Sequence, residues 1–325
     1  MLQSQSSARS GGARTAYGAR RHCINRLEPG AARYNPTVHE RPPRPTRTEP
    51  REILELKQLK SDQPELAEAV DMQLALVEVQ RRIQSRVPLP RLQPDTAWLA
   101  AQQQAARPAV RFEDIPLDWS ELRLAVRQTA EVLARFDSLE RADADAIVAM
   151  TREGRALEPL VSSWYIATSG AEPGVKPDRL PAGVPPSIEQ VLLLALRPFL
   201  TRCAEALLPR PDFSQWHHGH CPVCGWEPDF AVVLPSGERR LICGRCTAQW
   251  AFGSHTCPYC ANDDRTRVTS FATRDGRYRV YACDVCQRYL KAYDSRNATR
   301  PVMPSVDTIA TLPLDAAAMA RGYQG

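Results

Sequence analysis

The hydropathic period of the chain changes along its length. From about residue 51, apolar positions recur every three or four residues, the signature of amphipathic helices. Leu66, Val70, Leu74 and Val77 follow Pro64-Glu65 and predict a helix to about Val87, which Pro88, Pro90 and Pro94 end. A shorter helix carries Trp98 and Leu99. Residues 107–119 read as extended, since Pro108 and Pro116 exclude a continuous helix. Leu122, Val126, Thr129, Leu133 and Phe136 mark a long helix, and two more cover about 140–151 and 155–168. A Pro- and Gly-rich loop spans 169–186. Ser187, with Gln190 three residues on, predicts a capping box that opens a helix over 188–208. No strand pattern occurs between 51 and 210, so residues 51–210 are expected to form an all-helical bundle domain.

Beyond residue 210 the period shortens and the chain repeats itself. Cys221-Pro222-Val223-Cys224 precedes the apolar run Phe230 to Leu234, a turn at Ser236-Gly237 and a return strand Arg239 to Ile242. Cys243-Gly244-Arg245-Cys246 follows, with Trp250 four residues on. The second copy runs Cys257-Pro258-Tyr259-Cys260, Val268 to Phe271, a turn at Asp275-Gly276, Tyr278 to Tyr281, then Cys283-Asp284-Val285-Cys286 and Leu290. Each unit is a knuckle, a Gly-turned β-hairpin and a second knuckle, the plan of a zinc ribbon or rubredoxin. The fold class expected is α+β and multidomain: a helical bundle followed by tandem rubredoxin-like β-hairpin modules over 211–252 and 253–298. A C-terminal helical tail over 299–325 completes the chain.

The chemistry follows from the spacing. In C-x-x-C two sulfurs converge on one ion while turn N–H groups offset their charge, and the hairpin brings a second pair opposite. Eight of the ten Cys fall in four such pairs. They predict two metal ions, each held by four cysteines, and such sites suit a reducing compartment. The repeat favours Cys221/Cys224/Cys243/Cys246 and Cys257/Cys260/Cys283/Cys286, with nested or crossed pairing left open. Closed four-thiolate sites usually replace a core in small domains; a redox role is the rival, and a thioredoxin-type dithiol is disfavoured by the matched pairs. His217, His218, His220 and His255 border the knuckles and read as loop residues or hydrogen-bond partners of sulfur. The bundle offers no catalytic constellation, and its lone Cys203 reads as a small core residue. No catalytic residue is expected.

Charge locates rather than identifies. The net +5 comes from the first fifty residues, which hold nine Arg and three Glu; the other 275 hold 33 basic and 34 acidic groups. This Arg- and Pro-rich extension, 1–50, reads as disordered, and Cys23 within it carries no reading. Its first 27 residues share the composition of a mitochondrial presequence but lack the amphipathic pattern, and Arg20-Arg21 lacks the apolar segment of a twin-arginine signal. Residues 212–298 carry eleven Lys+Arg and nine Asp+Glu, a balance that two thiolate sites turn to about −2, so nucleic acid is not expected as a partner. Arg274, Arg277 and Arg279 form the best local basic strip and read as a solvated face. No membrane insertion is expected, because the most apolar run, Val191 to Leu208, is broken by Arg197, Pro198, Arg202 and Glu205.

A helical domain followed by four C-x-x-C motifs, with Cys221-Pro222-Val223-Cys224-Gly225 opening and Tyr289-Leu290-Lys291 closing, resembles the formate dehydrogenase accessory protein (FdhE) family. So does the tail with Asp307-Thr308-Ile309-Ala310, Leu314-Asp315 and Gly322-Tyr323. The resemblance covers roughly 51–325 and is strongest from 221 onward. Ala261 and Gln287 depart from it, standing where a rubredoxin knuckle prefers Gly. It implies a cytoplasmic, non-enzymatic maturation factor that binds the catalytic subunit of respiratory molybdenum formate dehydrogenase before export, with iron or zinc on the eight Cys and self-association left open. A rubredoxin-like electron carrier and a zinc-ribbon nucleic-acid-binding protein are the alternatives. Trp226 and Trp250 are candidate client contacts, although aromatics beside a knuckle commonly pack on the hairpin.

Overall fold

The computed structural model describes residues 49–152, 157–170, 184–208 and 211–325, with nothing assigned to the side chains of Pro211 and Asp212. The extension expected over 1–50, with Cys23, lies outside the described residues except for Glu49 and Pro50, as do 171–183 of the expected loop.

Among the described residues seven helices come first: α1 (Arg51–Asp62), α2 (Ala67–Gln84), α3 (Thr96–Gln104), α4 (Trp119–Arg135), α5 (Arg141–Met150), α6 (Leu157–Thr168) and α7 (Ile188–Leu207). Their starts are written locally. Asp118 opens α4 by accepting from the N–H groups of Ser120 and Glu121 at 2.8 and 3.0 Å, and Asp95 accepts from Trp98 N–H at 3.1 Å to open α3. The buried face of α4, Leu122, Ala125, Val126, Thr129, Ala130 and Leu133, follows the helical period. Residues 107–119 are not wholly extended, since Phe112–Asp114 form a single 3₁₀ turn.

Ser187 does not cap α7. It is itself helical, its Oγ donates to Asp143 at 2.7 Å, and the carbonyls of Pro185 and Pro186 receive the first N–H groups. The proline pair has already turned the chain, which leaves the hydroxyl free to reach another helix. Pro198, inside α7, cannot donate to the carbonyl of Leu194. Gln80 of α2 does so instead, its Nε2 lying 3.1 Å from that oxygen.

The Cys-rich part forms one six-stranded sheet in the order β3-β2-β1-β6-β5-β4. The strands are β1 (Pro228–Val233), β2 (Arg239–Cys243), β3 (Gln249–Phe252), β4 (Val268–Ala272), β5 (Tyr278–Cys283) and β6 (Arg288–Asp294). Each repeat unit therefore has a third strand beyond its hairpin, carrying Trp250 or Leu290. All pairings within a unit are antiparallel, and β1 runs parallel to β6, with Phe230 opposite Lys291 and Val233 opposite Asp294. Both sets of knuckles consequently lie at one end of the sheet and both hairpin turns at the other.

Each face of the sheet is covered. Ala231, Leu241, Trp250 and Leu290 belong to the main core with α2, α4, α6 and α7. Phe230, Val232, Ile242, Tyr278 and Tyr293 pack on the other face beside Val302 and Leu314. Two C-terminal helices, α8 (Pro304–Ala310) and α9 (Leu312–Met319), follow, and Val306 and Ile309 of α8 pack with Leu56 and Leu59 of α1. None of the helices among the described residues is long and apolar enough to cross a membrane.

Candidate metal centres

The strand register brings the knuckles together. Pro228 at the start of β1 faces Cys243 at the end of β2, and Val268 of β4 faces Cys283 of β5, so each hairpin sets its two C-x-x-C turns side by side. The sulfurs gather in the two sequential quartets, Cys221/Cys224/Cys243/Cys246 and Cys257/Cys260/Cys283/Cys286, each within 4.8 Å of one another. In the first, Cys221–Cys246 and Cys224–Cys243 sulfurs stand 3.5 Å apart; in the second, Cys257–Cys286 and Cys260–Cys283 stand 3.7 Å apart. Four thiolates at about 2.3 Å from a tetrahedral ion would sit about 3.8 Å from each other. These four pairs lie close to that figure, and none approaches the ~2 Å of a disulfide.

The knuckles share one backbone design. Gly225, Thr247, Ala261 and Gln287 donate their N–H to the carbonyls of Cys221, Cys243, Cys257 and Cys283 at 2.9–3.2 Å. All four have positive φ, between 57° and 74°, so the turn demands the left-handed region whichever residue fills it. Thr247 joins Ala261 and Gln287 as a departure from Gly. Only Gly225 is forced by packing as well: a Cβ there would lie 1.7 Å from the carbonyl oxygen of Ser169, at the end of α6.

Within each quartet the sulfurs differ. Amide N–H groups of Arg245 and Cys246 lie 3.3 and 3.4 Å from Cys243 Sγ, and that of Val223 lies 3.4 Å from Cys221 Sγ. Burial pushes the Cys221 and Cys246 thiols well up. It opposes ionisation of Cys224 too, but hydrogen bonds from the other three Cys and the nearby Arg245 charge outweigh it and hold Cys224 well below the usual thiol range. In the second quartet Cys283 is lowered, backbone N–H groups of Cys286 and Val285 outweighing burial, whereas burial raises Cys257 and Cys286. One readily ionised thiol beside reluctant neighbours is what a cation would complete, by displacing the remaining protons.

The surroundings of the quartets are unequal. Cys221, Cys224, Cys243 and Cys246 are 0–1% exposed. Ala109 and Val110 donate to the carbonyls of Pro222 and Val223 at 2.9 and 3.0 Å, and Tyr165 Oη donates to Val110 O at 3.0 Å. Arg197 of α7 donates to Gly244 O at 2.6 Å. Arg245, fully buried, lies 4.0 and 4.5 Å from the ring centroids of Trp226 and Trp164 and donates to Thr168 Oγ1 at 2.6 Å. A buried cation in this aromatic cage offsets thiolate charge. Sequence reasoning missed it, because a charged residue between two Cys reads as solvated and Trp164 and Thr168, which bury it, lie far away in the sequence. The second quartet has Cys260 exposed and Cys286 half-buried.

The other flagged residues go elsewhere. His218 and His220 do not contact sulfur; their Nε2 atoms lie 3.3 and 2.8 Å from the carbonyls of Gln103 and Ala106, at the end of α3, and His217 and His255 are exposed. Trp250 is buried and donates to His218 O at 2.9 Å, while Trp226 packs on Trp164, so both are held within the fold. Cys203 is buried in α7, and burial pushes its thiol up to about 12. Arg277 and Arg279 pair with Asp275 and Asp294 at 3.6 and 4.0 Å, and Arg274 is exposed.

No protein-family model matches the chain, and neither does any curated protein sequence. Among solved structures, the crystal structure of the FdhE protein from Pseudomonas aeruginosa superposes with a TM-score of 0.55 at 20% sequence identity, over 84% of this chain and 91% of that one. A helical domain followed by zinc-ribbon-like modules is thus the fold of both.

Proposed function

We infer that this chain is an FdhE-type accessory protein that binds two metal ions and holds the catalytic subunit of a molybdenum formate dehydrogenase in the cytoplasm before export. The supporting observation is the extent of the likeness, which takes in both the helical domain and the tandem modules. Each Cys quartet would hold one ion through four thiolates, zinc and iron alike suiting the sulfur spacing. Zinc would act as a cross-link, and iron would add a one-electron couple. A position closed by four protein ligands has no place for substrate, so the reading is client binding rather than turnover.

The test is capture. Tagged full-length protein, expressed in a bacterium that makes a respiratory formate dehydrogenase, should retain its catalytic subunit and not an unrelated molybdenum enzyme. Equal retention of both, or of neither, sinks the reading. Metal analysis of the anaerobically purified protein should give two equivalents of zinc plus iron, and the visible spectrum separates ferric thiolate from zinc.

A further inference from the structure

The two quartets have the same donors and nearly the same spacing but opposite relations to solvent. The first is closed by the helical half: the 109–110 segment on one knuckle, and Arg197 and Thr201 of α7 on the other, through the carbonyls of Gly244 and Cys246 at 2.6 and 3.4 Å. Ser169 at the end of α6 sits against Gly225. Opening that quartet requires breaking the main core, to which all four of its Cys belong.

The second quartet is held by the sheet and by the last residues of the chain. Tyr323 Oη donates to Asp284 at 2.6 Å, Gln324 N–H donates to Gln287 O at 2.7 Å, and Gln324 O accepts from Tyr289 N–H at 3.1 Å. Arg288, on the face of Tyr259 at 3.7 Å, bonds Glu227 at 2.7 and 2.9 Å. Cys257 and Cys283 are buried at the root of the hairpin, whereas Cys260 is exposed and Val285, within the fourth knuckle, is 52% exposed. An incoming donor can therefore reach an ion at this quartet from the Cys260 side without disturbing a helix.

We propose that the second quartet is an exchange site for a thiophilic divalent cation, opened through Cys260, while the first keeps its ion for the life of the fold. This rests on the metal-binding reading above. The step is ligand substitution: a sulfur or nitrogen donor of the acceptor bonds the ion as the bond to Cys260 Sγ breaks, and that sulfur takes up a proton from solvent. No oxidation state changes. The other three Cys then yield the ion in the same way, leaving a free quartet able to load again.

The experiment uses full-length protein loaded anaerobically with two equivalents of zinc and challenged with excess 4-(2-pyridylazo)resorcinol under non-denaturing conditions. One equivalent should leave quickly and the second at least about tenfold more slowly, as local opening precedes global opening. Cys260→Ser, which leaves three thiolates at that quartet, should release its ion faster still or fail to load it, and should leave the slow phase unchanged. Because variants of the first quartet are expected not to fold, the quartets are told apart by cadmium-113 NMR of the wild type, in which the resonance lost first should be the one displaced or missing in Cys260→Ser. Two equivalents leaving at one rate, or a fast phase of unchanged rate and amplitude in Cys260→Ser, would overturn the proposal and leave metal binding intact. A chain that takes up no zinc would overturn the metal reading itself, and this proposal with it.

Discussion

Two glycines with nearly the same backbone have different reasons to be glycine. Gly225 and Gly237 have φ of 74° and 84°, but a Cβ on Gly237 meets nothing within 4 Å, whereas one on Gly225 collides with the Ser169 backbone. Gly237→Ala should cost only the left-handed penalty of about 1–2 kcal/mol. Gly225→Ala must also push α6 away from the first knuckle, and belongs with the severe substitutions, about 4 kcal/mol or more. Urea unfolding of the two zinc-loaded variants measures the difference; equal losses would mean that α6 gives way without strain. The Cys pattern was legible at this scale because ligand spacing is local. Arg245 was not, since its buried surroundings come from Trp164 and Thr168, some eighty positions earlier.

Helices were legible where periodicity was uninterrupted, and the hairpins where Gly turned them. Strands β3 and β6 were not, because each follows a knuckle and is defined by its partner rather than by alternation: β6 is buried along nearly its whole length between β1 and β5. Ser187 misled for the opposite reason, a good local cap signal overridden by the two prolines before it. The Pro198 interruption of α7 shows how such a conflict is settled by a distant side chain. Gln80→Leu leaves the Leu194 carbonyl unpaired and should cost about 1–2 kcal/mol. In a Pro198→Ala background, where the restored backbone N–H can serve that carbonyl, the same change should cost clearly less. A double-mutant cycle by urea unfolding reads this coupling; strict additivity would mean that the Gln80 bond does not replace the missing backbone one.

The ends of the described chain are tied together through one carboxylate. Asp307 of α8 is fully buried, accepting from Met303 N–H at 2.6 Å, Tyr278 Oη at 2.8 Å and Arg300 at 2.6 Å. Arg300 also lies 3.3 Å from Glu55 of α1. Helix α1, strand β5 and the C-terminal helices therefore share one polar centre. Asp307→Ala removes the buried partner of Arg300, leaving it Glu55 alone as a carboxylate partner, and should destabilise the whole fold by about 3 kcal/mol, whereas Tyr278→Phe, which removes one hydroxyl, should cost about 1 kcal/mol. A single cooperative transition in both variants, followed by circular dichroism in the helical and aromatic regions, is the expected result.

The parallel joint between β1 and β6 has a consequence of symmetry. Because β1 to β3 and β4 to β6 run in the same directions and the same spatial order, the units are related by translation along the sheet and not by a dyad. A dyad would consume like edges and close; translation joins unlike edges and leaves one of each kind over, at β3 and β4. The interface that joins two copies thus leaves the same two kinds of edge for a further strand to meet: β3, blunted by being only four residues long, and β4, a largely exposed strand bearing Thr269 and Ser270.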